Sequence, residues 1–156
     1  MRYLAIDFGR RRLGLAVSDP DGRIATPYAV RERRGTRHDV ADLLQTIRGL
    51  EIESIVFGLP HTLQKDGAES DTARLARDFA AALETALRAA GQTQKISWWD
   101  ERFSTTQALQ QLRTLGISQR RGRATSGAQS VDARAAANIL QSYLDSRQAE
   151  NREEPS

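Results

Sequence analysis

The period of the apolar positions changes along the chain. Tyr3-Leu4-Ala5-Ile6 and Leu13-Gly14-Leu15-Ala16-Val17 are compact apolar runs. They predict strands over 2–7 and 13–18, joined by a turn that carries Gly9. Asp19-Pro20-Asp21-Gly22 marks a hairpin before a third strand over 24–30. Val40, Leu43, Leu44, Ile47 and Leu50 then recur at helical spacing, and the nearly all-apolar Ser54-Ile55-Val56-Phe57-Gly58 predicts a strand covered on both faces. Beyond a loop over 59–70, Leu75, Phe79, Leu83 and Leu87 at intervals of four predict a long helix ending near Gly91, and 95–100 predict a fifth strand. Ser104, Thr105 and Thr106 offer N-caps to a helix through Ala108, Leu109 and Leu112 that stops at Gly116. The polar stretch 117–130 lacks apolar periodicity. A last helix starts near Val131 and runs through Ala135, Ala136, Ile139, Leu140 and Tyr143. One domain over 1–146 is expected, with 147–156 as a disordered tail.

The order βββαβαβαα describes an α/β fold with a mixed five-stranded sheet, three antiparallel strands then two parallel, flanked by helices. This is the arrangement of an RNase H-like domain. A chain of 156 residues suits one such domain with a real core, and its lack of cysteine excludes disulfides, thiolate zinc sites and cysteine nucleophiles. No basic-then-apolar leader opens the chain, and no apolar stretch approaches the roughly 20 residues of a membrane span. A soluble, cytoplasmic protein is expected. The formal charge is +3, and the tail holds Glu150, Glu153 and Glu154 against Arg152, so the body is more basic than the total. Only Lys65 and Lys95 of the 23 basic residues are lysine. Arginine grips phosphate in a bidentate way, which points to nucleic acid, although arginine-rich codon usage gives the same ratio. Three groups, Arg10 to Arg12, Arg31 with Arg33, Arg34 and Arg37, and Arg120 with Arg121 and Arg123, fall in predicted turns or loops where they can reach a ligand.

Asp7 closes the first apolar run. A buried carboxylate without a partner is costly, so it sits beside a cation, a metal or a hydrogen-bond network, or else caps the turn through its own backbone. Gly14 leaves the following strand without a side chain, so a backbone or a phosphate can approach closely. In the five-stranded arrangement, Asp7, the Asp100-Glu101 pair at the end of the fifth strand and Asp132 at the start of the last helix converge at one edge of the sheet. Three such acids tolerate each other with Mg²⁺ or Mn²⁺, and two of these ions about 4 Å apart serve phosphodiester hydrolysis. Asp132 on its own also complements a helix dipole. Asp100 and Glu101 face opposite sides of a strand, so one of them points at the site, and Glu101 is assigned. Trp98 shares the Asp100 face and Trp99 the Glu101 face. This pair fits core packing or, with an exposed ring, base stacking.

Asp7-Phe8-Gly9-Arg10-Arg11-Arg12-Leu13-Gly14-Leu15-Ala16-Val17-Ser18-Asp19, Gly58-Leu59-Pro60, Asp100-Glu101-Arg102-Phe103-Ser104-Thr105 and Val131-Asp132-Ala133-Arg134-Ala135-Ala136 resemble, in order and spacing, the motifs of the bacterial YqgF family, also called RuvX. The resemblance covers nearly everything before the tail. It implies an RNase H-like, metal-dependent nuclease related to Holliday-junction resolvases and assigned to 5′-end maturation of precursor 16S rRNA. Asp7, Glu101 and Asp132 would then be the catalytic acids and the ligands of Mg²⁺ or Mn²⁺. Arg10, Arg11, Arg12, Arg102, Arg120, Arg121 and Arg123 would contact nucleic acid, with Arg12 and Arg102 at the scissile phosphate. Arg102 fits equally as an ion-pair partner of a carboxylate. The implied partners are precursor rRNA, ribosomal particles or branched DNA, and a junction-cutting enzyme would be a homodimer. Two departures stand out: the connection 61–66 is longer than the family's, which leaves His61 a loop residue or a phosphate ligand, and the loop before Asp132 is less basic. Two further readings are a nucleic-acid-binding protein without catalysis and a nucleotide-binding protein of the actin-like or sugar-kinase type. The second is disfavoured because those proteins close two such domains around ATP.

Overall fold

The computed structural model describes residues 1–59, 70–100 and 127–153, the last stretch with side chains from Ala133 on. Five strands, β1 (Tyr3–Phe8), β2 (Arg12–Ser18), β3 (Ala25–Glu32), β4 (Ser54–Leu59) and β5 (Lys95–Asp100), form one sheet in the order β3-β2-β1-β4-β5. β1 pairs antiparallel with β2, and β2 with β3, while β4 runs parallel to both β1 and β5. This is the mixed sheet expected from the sequence. Three helices are described: α1 (Thr36–Gly49), α2 (Asp71–Ala89) and α3 (Gly127–Glu153). None is long and apolar enough to cross a membrane. The helix expected over 104–116 lies outside the described residues.

Strand alternation divides the core in two. Leu4, Ile6 and Phe8 of β1, with Leu13 and Leu15 of β2, pack on one face against Val40, Leu43 and Ile47 of α1 and Phe79, Leu83 and Leu87 of α2. On the other face Tyr3, Ala5, Ala16 and Val56 meet Ala136, Ala137, Ile139, Leu140 and Tyr143 of α3. Alanine on both sides of this second interface lets the first half of α3 lie close to the sheet. Asp7 continues the Tyr3, Ala5 alternation and so belongs to the α3 face.

Local chemistry fixes the ends of the elements. Ser70 caps α2 by accepting a hydrogen bond from the Ala73 amide at 3.1 Å. At its other end the amides of Gly91 and Gln92 bond the carbonyls of Arg88 and Leu87, with Gly91 at φ 71°, a Schellman stop. In the β2–β3 turn Asp19 accepts from the amides of Arg23 and Ile24, and these bonds, the Ile24 one foremost, hold its carboxyl below the ordinary range.

Several boundaries differ from the sequence reading: β2 takes in Arg12, expected in the turn, and α3 begins at Gly127, inside the stretch 117–130 expected as a polar loop, rather than near Val131. β3 runs on to Glu32 and α1 begins at Thr36, so Arg31 is a strand residue and Arg37 a helix residue rather than both being in a loop. Gly35, at φ 112°, makes this sharp junction possible. α3 continues through Glu153, past residue 147, where the tail was expected, and its last turns border Met1 and the β2–β3 turn.

Candidate active site

Asp7 lies opposite Gly14 on β2 and opposite Gly58 on β4. Gly58 in turn lies opposite Trp99 on β5. The half-buried carboxylate therefore stands at the end of its strand with a glycine beside it on each side. Both glycines are in strands and neither has positive φ, so the backbone does not require glycine there. Both are buried, and their lack of a Cβ leaves Asp7 without a side chain at the paired position of either neighbouring strand.

Trp99 belongs to the α3-side core. Its ring meets Tyr143 edge-on at 5.7 Å and its Nε1 donates to Ser142 Oγ at 3.1 Å. Trp98 packs on the other face, its ring 5.2 Å from that of Phe57. Both tryptophans are thus packing residues. Alternation puts Asp100 on the Trp98 side, away from Asp7. Glu101 lies outside the described residues, as do Arg102, Arg120, Arg121, Arg123 and His61. Asp132 lies in the first turns of α3, with its backbone alone described. Position 132 precedes Ala136 by one turn, on the helix stripe that meets the sheet. Among the described residues no three His, Cys, Asp or Glu side chains gather into a metal-holding group.

The direction of α3 is set by its contacts. Tyr143 packs edge-on against Tyr3, at the start of β1, with ring centroids 5.8 Å apart. Leu144, Arg147, Gln148 and Asn151 gather near Met1 and Gly22. Towards lower residue numbers the helix therefore runs back over the sheet, towards the end of β1 that carries Asp7.

The turn after Asp7 is tight. The Gly9 amide bonds the Arg12 carbonyl at 2.9 Å, and a Cβ on Gly9 would come within 2.7 Å of that carbonyl oxygen. Arg10 and Arg11 are exposed at the tip, and Arg10 Nε donates to Thr72 Oγ1 at 3.2 Å in the first turn of α2. Arg12, two residues before Gly14, shares the face of Asp7.

The second arginine group is divided by its partners. Arg31 pairs with Asp42 at 3.1 Å. Arg33 donates from Nε to Asp39 Oδ2 at 2.8 Å and from Nη1 to the Gly9 carbonyl at 3.4 Å, and its guanidinium lies 4.7 Å from the Phe8 ring centroid and 5.0 Å from that of Phe79. Asp39 is 6% exposed and also accepts from the Arg34 amide. These two arginines hold the fold rather than reach outward. Neither the pairing of Gly58 with Asp7 nor the Arg33–Asp39 pair is legible in the sequence, because the first depends on strand register and the second on the Gly35 junction.

Residues 1–146 match the RuvX family, described as Holliday junction resolvase. A relative from Anaeromyxobacter sp. (strain Fw109-5), named "Putative pre-16S rRNA nuclease", is 44% identical over 151 residues, covering 96% of this chain and 100% of the relative. One of the same name from Koribacter versatilis is 42% identical over 155 residues, covering 99% of this chain and 92% of the relative. Among solved structures, RuvC of T. thermophilus in complex with a Holliday junction substrate aligns with TM-score 0.56 at 17% identity, over 95% of this chain and 96% of that one. The yeast mitochondrial Holliday junction resolvase aligns with TM-score 0.63 at 10% identity, over 97% and 80%. At these identities the structural likeness establishes the fold.

Proposed function

The chain belongs to the RuvX family, and from that premise we propose that it is a divalent-metal-dependent nuclease that cuts precursor 16S rRNA in maturing its 5′ end. The observation that carries the chemistry is the Gly14, Asp7, Gly58 row, a half-buried carboxylate near its strand end with a buried glycine, free of side chain, on each side. A carboxylate oxygen there is a hard donor that suits Mg²⁺ or Mn²⁺.

Two further acids complete the proposal. Were the alternation of β5 to continue by one residue, Glu101 would fall on the face of Trp99 and Asp7. From Tyr143 back to position 132 a helix rises roughly 16 Å, and from Tyr3 to Asp7 a strand advances roughly 13 Å, so the start of α3 comes level with Asp7. The donor set Asp7, Glu101 and Asp132 consists of carboxylates, which fits a hard divalent ion. Such an ion, when bound, activates water and stabilises the leaving oxygen. Arg12, on the face of Asp7, orients the scissile phosphate, with Arg102 beside it. Arg10, Arg11, Arg120, Arg121 and Arg123 hold the flanking backbone.

The family's description favours a second substrate, the four-way DNA junction. That reading requires two sites related by symmetry and hence a homodimer. The test sets end-labelled precursor-rRNA mimic, single-stranded RNA and a four-way junction side by side, with Mg²⁺, Mn²⁺ or chelator. Metal-dependent cutting of the precursor, lost in Asp7→Asn while binding persists, is the expected result. Paired nicks in the junction alone would move the assignment to resolution. No cutting of any substrate by folded protein would refute the nuclease.

A further inference from the structure

We propose that the substrate backbone extends from the Asp7 site across the β1–β2 turn onto the start of α1, with its phosphates held by Arg11, Arg34 and Arg37. The inference rests on the nucleic-acid reading above and adds a surface to it. In the sequence Arg10 to Arg12 and Arg31 to Arg37 are separate basic groups. In the fold they are neighbours, because the Arg33 amide donates to the Arg11 carbonyl at 2.7 Å and lays the two segments side by side.

The buried pair beneath makes this surface rigid. Arg33 ties Asp39 in the first turn of α1 to the Gly9 carbonyl, and the second oxygen of Asp39 takes the Arg34 amide at 3.0 Å. The turn after Asp7 and the first turn of α1 are thereby fixed to each other.

The division of labour among the arginines follows from their partners. Arg31 and Arg33 are neutralised by Asp42 and Asp39. Arg11, Arg34 and Arg37 are exposed, and none of their guanidiniums has a partner among the described residues. Exposed His38 lies beside them, and Glu32, opposite Arg12 in the β2–β3 ladder, is the exposed acid at the border. Three unpaired guanidiniums on a fixed support suit a polyanion read through its backbone, with no base specificity.

The experiment measures binding of the precursor-rRNA mimic against salt concentration in chelator, where cleavage is off. Each phosphate contact contributes about 0.7 to 0.9 to the slope of log K against log salt. The double variant Arg34→Ala, Arg37→Ala is expected to lower that slope by about 1.5. Arg34→Lys with Arg37→Lys, which keeps the charges, should restore most of it. Arg48→Ala with Arg152→Ala removes the same charge from exposed positions at the far end of α1 and the last turn of α3, and should leave the slope unchanged. An alanine pair indistinguishable from wild type, or a control pair that falls equally, would overturn the surface. Wild-type protein that binds and shows the slope loss but cuts nothing with Mg²⁺ or Mn²⁺ would remove the nuclease reading and leave the surface standing. Wild-type protein with no salt-dependent binding would end both.

Discussion

At the scale of single residues, the glycines beside Asp7 matter as much as the carboxylate. Gly14 and Gly58 occupy ordinary strand backbone, so a methyl group there violates no dihedral preference. It would instead stand next to Asp7 at a position that is already buried. Gly58→Ala is therefore expected to lose about 1–3 kcal/mol to overpacking and to cleave on the order of a hundredfold more slowly, the effect of a displacement of roughly 1 Å at a reacting centre. Cleavage rates of folded protein beside thermal melts check this, and a folded variant with full activity would mean that the reaction tolerates a side chain beside Asp7. Asp7→Asn should differ in kind. It keeps the shape and removes the charge, so cleavage should fall by about a hundredfold or more with binding retained. Loss of both together would indicate a folding defect.

At the scale of elements, the junction of β3, α1 and the β1–β2 turn depends on one buried ion pair. Removing one member strands the other charge among Phe8 and Phe79, so Asp39→Ala should cost roughly 3 kcal/mol in urea unfolding. If the loss were only a few tenths of a kcal/mol, solvent would be reaching Arg33 and the support beneath the arginine surface would be loose. The sequence could not disclose this pair. Val40, Leu43 and Ile47 announce α1 by their spacing, but its first turn is polar, and it starts where it does because Gly35 allows a positive φ and Asp39 satisfies what Arg33 and Arg34 present. The strands were legible as apolar runs, and Asp7 as a charge at the end of one. Which member of Asp100-Glu101 faces Asp7 was not, since alternation gives parity without saying which face α3 covers. Trp99 on Ser142 and Tyr143 shows which face of β5 α3 covers, and turns Asp100 away from that face.

At the scale of the molecule, α3 spans the distance between two unlike ends. Its first turns lie towards Asp7. Its last turns lie against Met1 and the β2–β3 turn, where Arg147 Nη1 reaches Tyr143 Oη at 3.5 Å and the two tyrosines Tyr143 and Tyr3, the first foremost, hold that guanidinium's pKa above its ordinary value. The family match stops at 146, yet the helix does not. A chain ended after residue 146 keeps Tyr143 and Leu144 in the core and loses Arg147, Gln148 and Asn151 from the rim. About 1 kcal/mol of stability should go, a fall of roughly 2–4 °C in Tm for a domain of this size. The maximal cleavage rate should not change, because the core stripe from Ala133 to Leu144, which fixes the height of position 132 over the sheet, is intact. Melting curves and saturating-substrate kinetics on the shortened chain separate the two effects. A preserved Tm with a lost rate would mean that the last turns of α3 act on substrate themselves; a lowered Tm with an unchanged rate would mean that they only fasten the helix whose other end carries Asp132.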